Sequence, residues 1–223
     1  GARVHTRVAV VAVGAAHRGA RPAIAVHVDQ IGGVAVLIDA IAARSLDASI
    51  AVVISNRPDA AGLDRARAAG IEALCVPHGR FASRVEHDRA LVHELRARGV
   101  GLVCLAGYMR LVGAPLLEAY PNAILNIHPS LLPAFPGLDA QGQAVAHGVK
   151  VSGATVHFVS SELDDGPIVL QHAVPVLDDD SSDTLAARIL VEEHRLYPTA
   201  VSMVLDGTWR IDGRRFVRAK TPV

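Results

Sequence analysis

The hydrophobic residues in the first part of this chain fall into short continuous runs of apolar and β-branched residues. Such runs are typical of strands that are buried on both faces of a sheet. They cover residues 23–28, 49–55, 72–77, 101–107 and 123–128. Segments of helical character lie between them, at 34–44, 62–70 and 83–99. This alternation predicts an α/β fold with a Rossmann-like, mostly parallel twisted sheet and helices on both faces.

Capping residues mark the ends of two helices. Ser83 can cap the helix predicted over residues 83–99, and Gly99 stands where that helix should end. Residues 180–207 predict a second, longer helix that is capped by Ser181 or Ser182.

The pattern changes after residue 150. Residues 153–159 and 167–176 are strand-like and are joined by a short polar turn. So short a connection favours an antiparallel hairpin. A short strand and turn are expected from Trp209 onward.

No internal repeat, low-complexity tract or linker divides the chain. We therefore expect one domain over residues 23–223, preceded by an N-terminal extension of residues 1–22. Residues 8–13 of that extension are apolar and could form an extra strand. Gly142 predicts that segment 138–144 is a mobile loop.

Composition and charge exclude several classes of partner. Hydrophobic residues make up 51% of the chain and charged residues 20%, which indicates a sizeable core. The 22 basic residues balance 22 acidic ones and leave no electrostatic footprint for nucleic acid or an anionic membrane. The apolar runs fall short of the roughly 20 residues that a membrane span needs. Cys75 and Cys104 are interpreted as small core residues, so no metal site is predicted, and a cytoplasmic protein is expected.

The most informative segment is AILNIHPSLLPAFPGLDAQGQA, residues 123–144. A buried strand ends there in Asn126, Ile127 and His128, and Pro129 breaks it. Ligands of parallel sheets bind beyond the carboxyl ends of the strands, and alternation along a strand places Asn126 and His128 on the same face. An amide donor and an imidazole would then point into one cleft. On these residues alone, a structural histidine at a strand end is at least as good an interpretation as a catalytic one.

A second candidate is the turn ELDDGP, residues 162–167, in which Asp164 and Asp165 stand side by side. Such a turn can simply be solvated, because Asp and Gly favour these positions. If the turn folds back over the strand that ends at His128, one carboxylate can meet the imidazole. It would then orient the ring and stabilise its charged form.

Together these motifs resemble the folate-dependent formyltransferases. The resemblance lies in NIHPSLLPAFPG (126–137), GATVHFV (153–159) and ELDDGPI (162–168), and it is nearly continuous from residue 36 onward. Within this family it is strongest to the phosphoribosylglycinamide formyltransferases. A methionyl-tRNA enzyme would add a C-terminal RNA-binding domain and a formyltetrahydrofolate hydrolase a regulatory domain, and we expect neither in these 223 residues.

The resemblance implies roles for the residues that match the family. It implies Asn126, His128 and Asp164 as the catalytic trio and 10-formyltetrahydrofolate as the co-substrate. It also implies a folate pocket, over which the turn of Asp164 closes, lined by Arg84, Met109, Arg110, Leu111 and Val112. Glu193 is implied as a contact of the ribonucleotide substrate. Without the resemblance, Arg84 is best interpreted as a surface residue, and Met109 and Leu111 as ordinary core.

The implied reaction is formyl transfer from 10-formyltetrahydrofolate to the amine of glycinamide ribonucleotide. Asn126 would donate a hydrogen bond to the oxyanion of the tetrahedral intermediate, His128 would move protons, and Asp164 would orient His128. Two alternatives stay open. One is an enzyme that hydrolyses the formyl donor or formylates a different amine, and the other is a non-catalytic folate- or nucleotide-binding module, against which the intact trio counts. The expected partners are these small molecules, without nucleic acid or membrane, for a monomer or homodimer.

One region departs from the family. The resemblance predicts a Gly-x-Gly-Ser/Thr-Asn turn after the first strand, whose backbone amides hold the substrate phosphate. The same register here is Asp29-Gln30-Ile31-Gly32-Gly33, so Gly32 and Gly33 take the positions of the hydroxyl residue and the Asn. These two glycines are the predicted phosphate contacts. A divergence that weakens or changes phosphate binding and a shifted reading frame in this region both explain the departure.

Overall fold

A computed structural model of this chain describes residues 9–10, 23–28, 31–107 and 110–219. The chain divides into two compact units, Gly1–Asn126 and Ile127–Val223. The extension expected over residues 1–22 lies outside the described residues except for Ala9–Val10, which form a strand. The single domain expected over residues 23–223 stays a prediction.

The first unit is a mostly parallel sheet with helices, as the alternating pattern predicts. Its strands are β1 (Ala9–Val10), β2 (Ala23–Val28), β3 (Ser49–Ser55), β4 (Ala73–Cys75), β5 (Leu102–Ala106) and β6 (Ile124–His128), whose last two residues belong to the second unit. Its helices are α1 (Ile31–Ala42), α2 (Ala61–Ala68), α3 (Arg84–Ala97) and α4 (Ala114–Ala119). The strand order is β1–β3–β2–β5–β6 with β4 on β3, and only the β1–β3 pair among these is antiparallel.

The core of the first unit comes from the continuous apolar runs. Val52, Val53 and Ile54 of β3 are fully buried, and all five residues of β5 are buried. Strands covered on both faces need apolar residues at every position, which is why these strands are visible in the sequence. Helix α3 begins as predicted, because the Ser83 hydroxyl accepts the N–H of Glu86 at 3.2 Å.

Helix α1 begins at Ile31, earlier than the predicted residue 34, and includes two adjacent glycines. Glycines disfavour a helix by propensity, but packing requires one here. A Cβ atom on Gly33 would lie 2.3 Å from the Cβ of Ala106 on β5. The absence of a side chain therefore lets the first turn of α1 approach the carboxyl end of β5. Helix–sheet packing accounts for Gly33, independently of its predicted role as a substrate contact.

The second unit is built on an antiparallel hairpin, which confirms the pattern predicted after residue 150. Its strands are β7 (Val151–Phe158), β8 (Ile168–Pro175), β9 (Trp209–Asp212) and β10 (Arg215–Arg218), and its helices are α5 (Ala140–Ala146) and α6 (Ser182–Leu205). The strand order is β7–β8–β10–β9, in which β8 and β10 are parallel and the other pairs antiparallel. The β7–β8 register shifts between Val156 and His157, so the ladder has a bulge there.

Helix α5 replaces the mobile loop that was expected over residues 138–144. Asp139 caps it from a left-handed conformation with a φ of 53°, and its carboxylate accepts the N–H of Gly142 at 3.1 Å. A Cβ atom on Gly142 would collide with this carboxylate. The loop prediction is wrong, because Gly142 makes room for a helix cap. Among the described residues, no helix is long and apolar enough to cross a membrane.

Candidate active site

His128 ends strand β6 and is almost completely buried, with 5% of its surface exposed. Its Nε2 lies 2.8 Å from the carbonyl oxygen of Phe135, and its Nδ1 lies 3.5 Å from Oδ2 of Asp164. Both ring nitrogens therefore face oxygen atoms that accept hydrogen bonds. A doubly protonated ring satisfies both, so the surroundings accommodate the imidazolium form, which can stabilise a developing oxyanion.

Asp164 lies in the turn between β7 and β8, in a left-handed conformation with a φ of 51°. Its side chain is 11% exposed. Oδ2 accepts the N–H of Gly137 at 2.8 Å, and Oδ1 lies 3.8 Å from Nε2 of His157. The turn thus folds back over the end of β6 and brings a carboxylate to His128, as the sequence allows.

Asp165 points elsewhere. Its carboxylate pairs with the Arg214 guanidinium at 2.8 Å, and its side chain is 49% exposed. The hydrogen bond from Arg214 holds the pKa of Asp165 below its usual value. The structure therefore separates two carboxylates that are adjacent in the sequence, and Asp164 is the one beside His128.

A buried hydrogen-bond network holds the loop that follows His128. The hydroxyl of Thr155 on β7 donates to the carbonyl oxygen of Ser130 at 2.6 Å and accepts the N–H of Leu132 at 3.1 Å. Nε2 of Gln171 on β8 lies 2.9 Å from both the Thr155 hydroxyl and the Leu132 carbonyl oxygen. Since unsatisfied buried polar groups are costly, this network fixes the loop against the hairpin.

Several other candidates follow the carboxyl edge of the first unit's sheet. Strands β2, β5 and β6 are adjacent and parallel, so their carboxyl ends share one edge. Gly32 and Gly33 follow β2, Arg110 follows β5, and the half-buried Asn126 lies near the end of β6. The side-chain direction of Asn126 relative to His128 stays a prediction.

The segment after β5 combines exposed and buried side chains. Leu111 is 46% exposed, which contradicts its interpretation as ordinary core, whereas Val112 is buried. Nη1 of Arg110 is buried without a hydrogen-bond partner among the described residues. Arg84 is exposed at the start of α3, and Met109 lies outside the described residues.

Asp88 anchors the end of this segment, a role that the sequence analysis missed. It is fully buried on α3, and its Oδ2 accepts the N–H of Gly113 at 2.8 Å. A Cβ atom on Gly113 would lie 2.3 Å from that oxygen. One sequence feature could have revealed this role. Asp88 lies on the same face of α3 as Leu91 and Leu95, where a carboxylate without a partner would be destabilising.

Glu193 lies half-buried on α6 in the second unit. It forms no hydrogen bond or ion pair within the described part of the chain, and burial raises its pKa to about 7. Its neighbour Glu192, by contrast, pairs with Arg195 at 2.9 Å. A buried acid without a partner is typical of a ligand site, although packing can also produce one.

Comparison with known proteins identifies the family of this chain. Residues 23–201, more than half of it, match the formyl transferase family. The chain belongs to the formyl transferase family. It is 41% identical to the phosphoribosylglycinamide formyltransferase of Escherichia coli (strain K12) over 186 residues, covering 80% of this chain and 88% of that protein. It is also 47% identical over 174 residues to the trifunctional purine biosynthetic protein adenosine-3 of Drosophila melanogaster, covering 77% of this chain but only 13% of that protein.

Two solved structures share this fold. Glycinamide ribonucleotide transformylase 1 from Symbiobacterium toebii is 52% identical, with a TM-score of 0.85 over 87% of this chain and 92% of that one. A formyltetrahydrofolate deformylase from Pseudomonas syringae is 27% identical, with a TM-score of 0.80 over 87% of this chain and 64% of that one. The family, predicted from the motifs, and the α/β fold, predicted from the alternation of strands and helices, are both confirmed.

Proposed function

We propose that this formyl transferase moves the formyl group of 10-formyltetrahydrofolate to the amine of glycinamide ribonucleotide, in purine synthesis. The observation that carries the proposal is the buried contact of His128 with Asp164. It occurs in a chain whose 41%-identical relative in Escherichia coli is named phosphoribosylglycinamide formyltransferase. We infer a cytoplasmic enzyme that acts on small molecules as a monomer or homodimer.

The catalytic trio supplies charge stabilisation and proton transfer. Asn126 donates a hydrogen bond to the oxygen of the attacked formyl group, and the His128 imidazolium stabilises the same negative charge. One such donor contributes roughly 10²- to 10³-fold to the rate. His128 gives a proton to N10 as its bond to the formyl carbon breaks and takes one from the attacking amine, so no net proton is gained or lost. Asp164 keeps the ring oriented.

The remaining candidates bind the two substrates. We assign folate contacts to Arg84, Met109, Arg110, Leu111, Val112 and Asp164, and ribonucleotide contacts to Gly32, Gly33, Asn126 and Glu193. The exposed Leu111 and the unpaired Nη1 of Arg110 support the folate assignment, because they offer an apolar surface and a cation to an aromatic ligand with carboxylates. The reaction needs no metal.

The first experiment measures loss of 10-formyltetrahydrofolate by the purified protein, with and without glycinamide ribonucleotide. Turnover that depends on the ribonucleotide supports the proposal. His128→Ala should lower kcat by roughly 10³-fold, because charge stabilisation and proton transfer are both removed, while folate affinity stays nearly unchanged. An equal loss of folate affinity would make His128 a binding or structural residue and contradict the mechanism.

A second candidate is hydrolysis of the formyl donor or formylation of a different amine. The altered turn before Gly33 favours it, because the expected phosphate contacts are replaced there. The likeness to a deformylase structure supports it further. Donor loss that is independent of the ribonucleotide would favour this candidate and exclude the first.

A further inference from the structure

His157 contacts the other oxygen of Asp164, and the proposed reaction gives it no role. Its side chain is 2% exposed, and its Nδ1 lies 2.9 Å from the carbonyl oxygen of Phe158. Because a carbonyl oxygen only accepts, Nδ1 carries the proton and Nε2 faces Oδ1 of Asp164 at 3.8 Å. His128 has the mirrored arrangement, in which Nε2 donates to the carbonyl of Phe135 and Nδ1 faces Oδ2.

In each ring, the nitrogen farther from Asp164 donates a hydrogen bond to a backbone carbonyl oxygen. The nitrogen closer to Asp164, called here the near nitrogen, faces one oxygen of its carboxylate. Without a proton, a near nitrogen and the carboxylate are two acceptors that face each other. A proton on either near nitrogen converts that contact into an ion pair. The array of His128, Asp164 and His157 therefore has two places for one proton, one at each carboxylate oxygen.

The backbone deviates from regular pairing at His157. Val156 lies opposite Leu170, whereas His157 lies opposite Ile168, so β8 has one extra residue, Val169, at this point. A bulge of this kind interrupts the ladder and re-aims the side chains beside it, and bulges concentrate near active sites. The irregularity occurs at the residue whose ring faces Asp164.

We propose that His157 is a positioning residue that shares one proton with His128 across the carboxylate of Asp164. This inference rests on the proposed function. When the proton moves, one N–H bond breaks on one ring and one forms on the other, Asp164 begins and ends as a carboxylate, and the net charge of the array stays the same. His128 is then an acid when it holds the proton and a base when His157 holds it.

Burial is the main influence on the affinity of His157 for this proton. Burial lowers the pKa of His157, while the Phe158 carbonyl and the Asp164 carboxylate raise it and the His128 charge lowers it. Within the described part of the chain, the charges of these two side chains, from the turn and the strand end, act on the ring. Burial thus disfavours a resident proton on His157, which takes the proton when His128 must accept another.

The test compares His157→Gln, His157→Phe and a control in steady-state formyl transfer. Gln can still donate to Oδ1 of Asp164 but cannot titrate, whereas Phe keeps the ring volume alone. Both variants should lower kcat about 10-fold with both KM values nearly unchanged, and the pH profile of kcat should lose one inflection. The control is His172→Gln on β8, where the ring is 53% exposed and pairs with Glu192, and it should behave like the parent.

Retention of the parental kcat and of every inflection in His157→Gln would overturn the proposal, as would an equal loss in the His172 control. If a variant fails to fold, the parent protein is tested instead, by ¹⁵N NMR titration of the imidazole nitrogens of His128 and His157. Both rings should respond to both ionisations, because coupled groups titrate as one system. Independent single-step titrations would overturn the inference. The NMR titration uses no ribonucleotide, so its outcome is distinguishable from a failure of the proposed function.

Discussion

Asp164 and Asp165 are neighbours in the sequence with opposite surroundings, and this difference predicts different consequences of the same substitution. Asp164→Asn should lower kcat by roughly 10²- to 10⁴-fold, because His128 loses the carboxylate that orients its ring. Asp165→Asn removes only an exposed ion pair with Arg214, so kcat and the unfolding midpoint should stay near parental values. Steady-state kinetics and thermal unfolding of the two variants measure this. Equal losses of kcat would refute the distinction.

Without the family resemblance, which implies Asp164, the sequence offers both carboxylates equally, since each lies in a polar turn before a glycine. What separates them is a left-handed residue at Asp164 and the N–H of Gly137, which lies 27 positions earlier in the chain. His157 was missed for a similar reason. In the sequence it is one of three polar residues of β7, with Ser152 and Thr155, and no local pattern marks the bulge that lies opposite it on β8.

The segment between β5 and α4 depends on a contact from a different element. Asp88 on α3 accepts the N–H of Gly113, so Asp88→Ala should leave that donor unsatisfied and loosen residues 110–112. We expect a cost of about 1–3 kcal/mol in unfolding free energy and a KM for 10-formyltetrahydrofolate raised about 10-fold, with a smaller change in kcat.

The matched control is Asp88→Asn, whose amide oxygen can still accept the N–H of Gly113. It should recover most of the folate KM, as measured by varying each substrate separately. A rise in the KM for the ribonucleotide alone, or no recovery in Asp88→Asn, would contradict the anchoring role.

At the element scale, the sequence indicates the strands better than the short helices. Continuous apolar runs located β3 and β5, because buried strands must be apolar throughout. Helix α5 was missed because its cap uses a left-handed Asp139 and a glycine inside the first turn, which both resemble loop signals. The start of α1 was placed too late because Gly33 serves packing against Ala106. For the same reason, an Asn at Gly33 is a poor probe of phosphate binding, since its Cβ would displace Ala106.

For the whole molecule, the charges of 22 acidic and 22 basic side chains balance. Stability depends on pH near neutrality through the groups whose pKa values differ between the folded and the unfolded chain. His157 and Glu193 act in opposite directions. Burial lowers the pKa of His157, so below its ordinary value of 6.5 the unfolded chain binds more protons and stability is lost as the pH falls. Burial raises the pKa of Glu193 from 4.5 to about 7, so the folded chain binds more protons in that window and stability is lost as the pH rises.

Glu193→Gln should remove the second of these effects, because the amide stays neutral at every pH. From the difference between 4.5 and about 7, the variant should be more stable than the parent by up to about 3 kcal/mol at pH 8 and by little near pH 4.5. Urea unfolding at both pH values measures the difference, and Glu192→Gln, whose carboxylate already has Arg195 as a partner, is the control. A pH-independent difference would contradict burial as the cause. Because an unpartnered carboxylate destabilises the free protein at neutral pH, a ligand that pairs with Glu193 should recover that stability on binding, which is the behaviour expected of a substrate contact.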